Sequence, residues 1–357
     1  MAVADSFKTT YRVPEPMPSP KQASRGPGSI SPGGPDASED RVGAVIVTFH
    51  PGPEFREVLA AARRETSFVA VIDNGSAPAR VGEIEQEIGA TSPPAASPGT
   101  GSTVQFFPHS NNEGLSRAFN EGLTRVVNAG CRYVLFLDQD SILQAEAVQH
   151  LISAFHRLEK EHRLGGLNCK NVEPRVTPLD PLARRFYQQK YASGRLYSQG
   201  PVHEIRTVIN SGLFMSPRVL QDLGNFNEDL FVDAIDNDLS YRLRLKGYRM
   251  FRVETAEITH NRGVETFGGG RFKYRSHGLR RQYYIVRDTV ISVRKWWTRF
   301  PLSCVVHFAS MLWGTGMRLL FLPGRGRRLR VVVRGFFRQP FPEELNRPDP
   351  GMPADSG

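Results

Sequence analysis

The sequence is poor in cysteine. Its 357 residues include three cysteines, Cys131, Cys169 and Cys304, which lie far apart and form no CxxC pair. This spacing predicts neither a disulfide framework nor a structural zinc site, and it indicates a reducing compartment. The N-terminus also lacks the basic start and apolar core of a secretory signal. We therefore expect a cytoplasmic globular protein with a substantial buried core.

Acidic residues are scarce in the C-terminal part of the chain. Between Arg271 and Arg338 there are 16 lysines and arginines and one acid, Asp288, so this segment carries +15 and the remainder −5 of a net charge of +10. Within it, residues 302–322 are apolar for about the length of a membrane span. His307 and Arg318 interrupt this run, and two glycines weaken it as a helix.

We expect residues 298–340 to be a basic, helical extension that holds the protein at the cytoplasmic face of the plasma membrane, against its anionic inner leaflet. The alternative, left open, is that the apolar residues pack on the rest of the chain or form a homo-oligomer contact. No nucleic-acid partner is predicted, because nothing resembling a base-reading helix accompanies the charge.

Periodic apolar runs are absent from both ends, and we expect residues 1–40 and 341–357 to be disordered tails. From residue 41 onward, short apolar runs alternate with amphipathic stretches, which is typical of βαβ units in an α/β domain with a mostly parallel sheet sandwiched by helices. Early strands are predicted at 42–49, 68–76 and 104–108, and residues 90–102 as a surface insertion. The domain is expected to cover residues 41–297.

Three apolar strands end in polar residues: Thr48, then Asp73 with Asn74, then Asp138 with Asp140. Ligands of open α/β sheets bind outside the carboxyl ends of the strands, so we expect one crevice there. Asp138 and Asp140, in "FLDQDS", suit Mg²⁺ or Mn²⁺ as paired carboxylate ligands. The alternative is that they cap the helix that follows.

A second acidic cluster, Asp233, Asp236 and Asp238, opens a predicted helix. Asp238 is four residues from Arg242, which fits a structural ion pair. Asp236, at the junction of loop and helix, is placed to take a proton from a hydroxyl. His260 ends a strand and is either a third metal ligand or structural.

The segments resemble glycosyltransferase family 2, with the GT-A fold, and within it the rhamnosyltransferase-like branch. The resemblance covers about residues 42–297. The motifs that carry it, in the order of the family, are "VIVTFHP", "VIDNGS", "NNEGLSRAFNEG", "FLDQDS", "NSGLFMS", "LFVDAIDNDLSYRLRLKGYR", "ITHNRG" and "RRQYYIVRDTVISVRKW". Their combination is far more specific than any one of them.

The resemblance implies a role for each matched residue. Asp236 would be the general base, Asp140 the metal ligand helped by His260 and Asp138, and Asp233 and Asp238 acceptor-side residues. The residues implied at the nucleotide-sugar donor are Thr48, Asp73, Asn74, Asn112, Gly114, Asn120, Asp138, Asn210, Ser211 and Gly212.

The implied activity is an inverting, metal-dependent transfer of a sugar to a glycan or polyprenyl-linked acceptor in cell-surface polysaccharide biosynthesis. Many relatives carry a glutamate before the base, whereas this chain has Ile235, and "FVDAIDND" agrees with the branch associated with dTDP-L-rhamnose. Two alternatives stay open: another donor such as a UDP-hexose, and a haloacid-dehalogenase-type phosphatase. The latter normally has its D-x-D near the start of the domain, whereas two βα units precede it here.

Overall fold

The computed structural model describes residues 40–90, 102–172, 198–260, 266–267, 274–275 and 278–342, with the backbone alone for 198–199, 260, 266–267 and 274–275. Residues 91–101 of the insertion predicted at 90–102, and nearly all of both predicted tails, fall outside these ranges. All the elements below belong to one compact unit that begins at Ala37.

The strands alternate with helices in the first half of the described chain, as the sequence predicts. The strands are β1 (Val42–Thr48), β2 (Phe68–Asp73), β3 (Thr103–Pro108), β4 (Tyr133–Asp138), β5 (Ser141–Leu143), β6 (Leu164–Asn171), β7 (Ser198–Gln199), β8 (Val202–Ile205), β9 (Leu213–Met215), β10 (Arg249–His260), β11 (Thr266–Phe267) and β12 (Tyr274–Arg275). The helices are α1 (Phe55–Glu65), α2 (Pro78–Ala90), α3 (Leu115–Asn128), α4 (Ala147–Glu161), α5 (Pro217–Leu223), α6 (Ile235–Leu245), α7 (Leu279–Trp296), α8 (Pro301–Phe321) and α9 (Arg325–Phe336).

The central sheet runs in the order β3-β2-β1-β4-β9-β6-β10-β8-β7, with β5 paired to β10. Strands β3, β2, β1 and β4 are parallel, and so are β6 and β10. The short strand β9 lies antiparallel between β4 and β6 and joins the two parallel parts. Strand order reverses between β1 and β4, which is where ligands of such sheets bind.

Both faces of the sheet are buried at its central strands β1 and β2. Along β1, Ala44 and Ile46 belong to one hydrophobic core together with residues of α1 and α4, whereas Val45 and Val47 belong to the core formed with α3 and α6. This alternation follows from the two-residue period of a strand. Because neither face meets water, β1 and β2 read as continuous apolar runs that stop only at Thr48 and Asp73. The polar residues at the strand ends therefore indicate where the ligand site lies.

Helices α8 and α9 pack against α7, which itself contacts α6 beside the sheet. Helix α8 continues through both of its glycines, Gly314 and Gly316. It is the one helix of the described residues that is long and apolar enough to cross a membrane, by length and composition alone.

Candidate active site

A cavity of about 390 Å³ lies at the carboxyl ends of β1 and β4. That volume lies within the usual range of small-molecule sites. Nine of the residues predicted for the site line it together: Thr48, Asn74, Asn112, Asp138, Asp140, Asn210, Ser211, Asp233 and Asp236. Segments more than 180 residues apart in the chain therefore meet at the crevice that the strand ends predict.

At the end of β4, Gln139 and the two aspartates that flank it have different contacts. Oε1 of Gln139 accepts the backbone N–H of Phe49 at 2.7 Å, so this side chain is tied to the end of β1. Asp138 and Asp140, on either side of it, line the cavity. The segment continues as the strand β5 and not as a helix, so the capping alternative does not hold for these aspartates.

The residues around these aspartates fit a divalent cation. Two carboxylates reach one cavity, and Mg²⁺ commonly uses one or two protein carboxylates and completes its shell with water and phosphate oxygens. Oδ1 of Asn210, in the same cavity wall, is buried and has no hydrogen-bond partner among the described residues. No group of three histidine, cysteine, aspartate or glutamate side chains suited to a metal occurs in the described part of the chain.

His260 has a known backbone position only. It ends β10 and pairs in register with Ser141, the residue after Asp140. Its side chain lies outside the described residues, so its predicted role as a metal ligand stays a prediction.

Asp73 is an internal anchor at the end of β2. It is fully buried, and Oδ1 accepts hydrogen bonds from Thr48 Oγ1 at 2.9 Å and from Ser76 Oγ at 2.6 Å. Oδ2 accepts the backbone N–H of Ser76 at 2.8 Å. The Ser76 hydroxyl in turn accepts the backbone N–H of His50. The carboxylate thus joins the loops after β1 and β2, while Thr48 and Asn74 beside it line the cavity.

The loop before α3 is held by two asparagines. Nδ2 of Asn74 donates to Oδ1 of Asn112 at 3.0 Å, and Oδ1 of Asn74 accepts the N–H of Glu113. Gly114 follows with φ +96°, a conformation open to glycine, and the N–H of Leu115 donates to the carbonyl of Phe231 at 2.6 Å. The predicted donor segment therefore touches the loop that carries the second acidic cluster.

That acidic loop is fixed from α7 by Asp288. Oδ2 of this fully buried carboxylate accepts the backbone N–H groups of Phe231, Val232 and Asp233 at 2.8, 2.9 and 3.1 Å. Burial raises the pKa of Asp288 to about 6, and the Arg287 guanidinium opposes that shift.

The base predicted by the sequence follows a strained residue. Ala234 has φ +61°, in the left-handed region that few alanines adopt, and it immediately precedes α6. Strain of this kind persists where surrounding contacts demand it, often at functional sites. Oδ1 of Asp236 then accepts the backbone N–H of Asn210 at 3.0 Å, which joins the base to the turn that lines the cavity.

Four of the predicted site residues other than Asp73 and His260 lie outside the cavity lining: Gly114, Asn120, Gly212 and Asp238. Asn120 exchanges hydrogen bonds with the backbone of Phe226. Asp238 is buried and binds Arg242, Trp296 and Lys295, which is the structural ion pair the sequence left open.

Two residues of the C-terminal helices reach the site without having been predicted. Arg281 of α7 lines the cavity. Nε2 of His307, on α8, lies 3.5 Å from Oδ2 of Asp233. Arg281 belongs to the matched segment "RRQYYIVRD", which carried no assigned role, and His307 was interpreted as an interruption of an apolar run.

Comparison with known proteins shows which class of protein this chain resembles. Residues 44–216 match the family model Glycosyl transferase family 2. The chain is 23% identical over 256 residues, 71% of this chain and 79% of the other, to the dTDP-rhamnosyl transferase RfbF of Shigella flexneri. It also resembles the crystal structure of GalNAc-T7 with UDP, GalNAc and Mn2+, with a TM-score of 0.50, 14% identity, and coverage of 74% of this chain. The chain spans about half the length of that structure's chain, 50%.

The fold is the GT-A fold of nucleotide-sugar glycosyltransferases. Residues 44–216 match glycosyltransferase family 2 over just under half of the chain, and the similarity to the Shigella flexneri protein is consistent with its rhamnosyltransferase-like branch. The predictions of family and fold are thus confirmed, and the phosphatase alternative has no support.

Proposed function

We propose that the chain transfers a sugar, L-rhamnose from dTDP-L-rhamnose, with inversion, to a hydroxyl of a glycan or polyprenyl-linked acceptor in cell-surface polysaccharide biosynthesis. The observation that carries the proposal is the meeting of Asp138, Asp140 and Asp236 in one cavity. Asp138 ends β4, Asp140 lies just after it, and Asp236 lies in the first turn of α6, so separate elements present them. Asp138 and Asp140 would serve the leaving group, and Asp236 would serve the incoming hydroxyl.

Asp236 is the general base of this scheme. Its carboxylate takes the proton of the acceptor hydroxyl while that oxygen forms a bond to the anomeric carbon and the bond from that carbon to the diphosphate oxygen breaks. The N–H of Asn210 donates to Oδ1 and so orients the carboxylate. The electron pair of the broken bond leaves with the nucleoside diphosphate, and no covalent enzyme intermediate forms.

Asp138 and Asp140 would hold Mg²⁺ or Mn²⁺, with His260 as a further ligand. Such an ion, when bound, supplies positive charge to the departing diphosphate. The crystal structure of GalNAc-T7 with UDP, GalNAc and Mn2+, which has a similar fold, supports the use of a divalent metal. Thr48, Asn74 and Asn112 line the same cavity and would contact the nucleotide.

The choice of donor rests on similarity and on one motif. The Shigella flexneri relative is a dTDP-rhamnosyl transferase, and "FVDAIDND" around Asp236 agrees with that branch. A UDP-hexose is the alternative donor.

The outer face of α8 and α9 supports a membrane-bound place of action. Large apolar side chains are exposed along it: Leu302, Val305, Leu312, Trp313, Leu320, Phe321, Leu329, Val333, Phe336 and Phe337. Exposed arginines accompany them on α9, among them Arg325 and Arg330. An apolar face with adjacent cations suits the surface of an anionic membrane, so we assign the protein to the cytoplasmic face of the plasma membrane.

A screen of nucleotide sugars by thermal denaturation, with Mn²⁺ or Mg²⁺ present, tests the donor. A ligand that binds the native state raises the apparent melting temperature in proportion to the logarithm of concentration over Kd. The proposal expects dTDP-L-rhamnose to stabilise the protein more than UDP-glucose, and the stabilisation to disappear with EDTA. Equal stabilisation by both donors would remove the rhamnosyl assignment and leave the glycosyltransferase.

A further inference from the structure

Among the described residues that line the cavity, one apolar side chain is exposed. Ile209 is 47% exposed, whereas the other apolar residues of the lining are buried or half-buried. An exposed apolar side chain is ordinary on an open surface, but in a ligand cavity it offers a contact to an apolar group of the ligand. Most of the groups expected in this cavity, the diphosphate and the sugar hydroxyls, are polar.

The backbone of Ile209 is held on both of its polar groups by a single side chain. The N–H of Ile209 donates to Oδ1 of Asn168 at 3.0 Å, and its carbonyl accepts from Nδ2 of the same asparagine at 2.6 Å. Asn168 is buried on β6. The preceding N–H, of Val208, donates to the buried Oγ of Ser240 on α6 at 3.0 Å. These bonds fix the direction of the Cα–Cβ bond of Ile209, so the isoleucine is presented at a defined place in the cavity wall.

The two residues after Ile209 connect this place to both halves of the proposed reaction. The N–H of Asn210 donates to Oδ1 of Asp236, the proposed base, at 3.0 Å. The hydroxyls of Ser211 and Ser141 are hydrogen-bonded at 2.6 Å, and Ser141 directly follows the two aspartates at the end of β4. The transferred sugar must lie between the base and the departing diphosphate, so Ile209 stands beside the position of that sugar.

We infer that Ile209 is a specificity residue that contacts the C6 methyl group of a 6-deoxy sugar on the donor; this rests on the proposed function and names the residue that recognises its sugar. L-Rhamnose differs from L-mannose only in carrying a methyl group where L-mannose has CH2OH. Burial of that methyl group against isoleucine is favourable, whereas a hydroxyl there would lose water without gaining a partner from the side chain. Such a contact discriminates between the two sugars by about tenfold to a hundredfold.

An apolar part of the acceptor is the second source of the same contact. We assign Ile209 to the donor because its segment is tied, through Ser141, to the side of the cavity where the diphosphate would leave. Donor binding measured without any acceptor separates the two sources, since a residue that contacts only the acceptor would leave the choice between donors unchanged when it is replaced.

The test is titration calorimetry of donors on the full chain, with Mn²⁺ and without acceptor. The wild type is expected to bind dTDP-L-rhamnose at least about tenfold more tightly than dTDP-L-mannose. Ile209→Thr keeps the β-branch and places a hydroxyl in the contact, so it should reduce this ratio to below about threefold. Ile209→Val, the matched apolar control, should keep the preference. dTDP, which lacks the sugar, should bind all three proteins equally.

Three results would overturn the inference and leave the proposed function standing: equal affinity of the wild type for the two sugars, the wild-type preference in Ile209→Thr, or weakened binding of dTDP by that variant. The last would show an effect on the fold and not on the sugar. If the wild type binds neither dTDP nor its sugars, the proposed donor fails, and the same comparison with UDP-6-deoxyglucose and UDP-glucose decides the contact. A preference for the deoxy sugar that Ile209→Thr loses would support it, and no preference would exclude it.

Discussion

Oδ2 of Asp288 lies 2.9 Å from the backbone nitrogen of Val232 and accepts its N–H. The same oxygen accepts the N–H groups of Phe231 and Asp233, so one carboxylate on α7 holds three successive amides of the loop that leads to Asp236. Helix α7, against which α8 and α9 pack, is thereby connected to the candidate active site. The cost of this arrangement is a buried negative charge.

That charge predicts a pH dependence of stability. Burial raises the pKa of Asp288 from 3.8 to about 6, so the native state keeps a proton that the unfolded chain releases. Because the native state binds more protons in this window, the free energy of unfolding falls as pH rises from about 4 to above 6, by about 3 kcal/mol for this group. Asp288→Asn, which cannot ionise, should lack this contribution.

Urea unfolding of both proteins across the same pH range measures it. The unfolding free energy of Asp288→Asn, relative to that of the wild type, should rise by up to about 3 kcal/mol between pH 4 and pH 7. A difference that stays constant with pH would show that the carboxyl titrates at its ordinary value in the folded protein.

Thr48→Val tests the anchor at the ends of β1 and β2. The substitution removes the hydrogen bond from Oγ1 to Asp73 and keeps the volume, so we expect a loss of about 1 to 2 kcal/mol in unfolding free energy. The nucleotide Kd, measured by calorimetry, should also rise, because Thr48 lines the cavity. Thr124→Val, at an exposed threonine of α3, is the control and should change stability by less than about 0.5 kcal/mol. Equal changes in unfolding free energy in the two variants would contradict the role of the Thr48–Asp73 hydrogen bond as an anchor.

Gly114→Ala tests the contact between the donor segment and the acidic loop. A Cβ at Gly114 would lie 2.9 Å from Cδ2 of Phe231, and φ is +96° there. We expect a loss of about 1 to 3 kcal/mol in stability and a raised KM for the donor. Gly82→Ala is the control: its Cβ would meet nothing within 4 Å in the middle of α2, so the helix should gain about 0.5 to 1 kcal/mol. A neutral Gly114→Ala would mean that the loop adapts freely.

Charges on the apolar face should release the protein from membranes. Trp313 and Phe337 are 71% and 66% exposed, and replacing both by glutamate is expected to lower partition onto anionic vesicles by at least about tenfold. Sedimentation with vesicles measures this, and added salt should weaken wild-type binding as well. Leu245→Glu, at an exposed leucine of α6, should bind like the wild type. Undiminished binding of the double variant would refute the membrane assignment.

Much of the site was predictable because a buried parallel sheet leaves few places for polar residues. Thr48, Asp138 and Asp140 stand where apolar runs stop, and sheet topology then brings those positions together. The prediction that Asp236 is the base rests on its place at a helix start and on the resemblance to the family, and the structure places it in the cavity lining. These inferences required only local patterns and a known chain topology.

The remainder depends on contacts between distant segments. The roles of Ser76 and Asp288 follow from hydrogen bonds to amides of other loops, which no spacing within one element reveals. Strand β9 has three residues, and its antiparallel place between β4 and β6 is likewise a long-range pairing. His307 and Arg318 were interpreted as interruptions of an apolar helix, although their 11-residue spacing places both on the face of α8 that carries the buried residues Cys304, Met311 and Thr315.

The most direct test of the account measures sugar transfer and donor binding in Asp236→Asn. Asparagine keeps an oxygen for the N–H of Asn210 but takes up no proton, so transfer should fall by at least about a hundredfold while the donor Kd stays near that of the wild type. Asp140→Asn, the comparison variant, should instead weaken metal-dependent donor binding. Transfer by Asp236→Asn at close to the wild-type rate would contradict the assignment of Asp236 as the base and the proposed transfer mechanism.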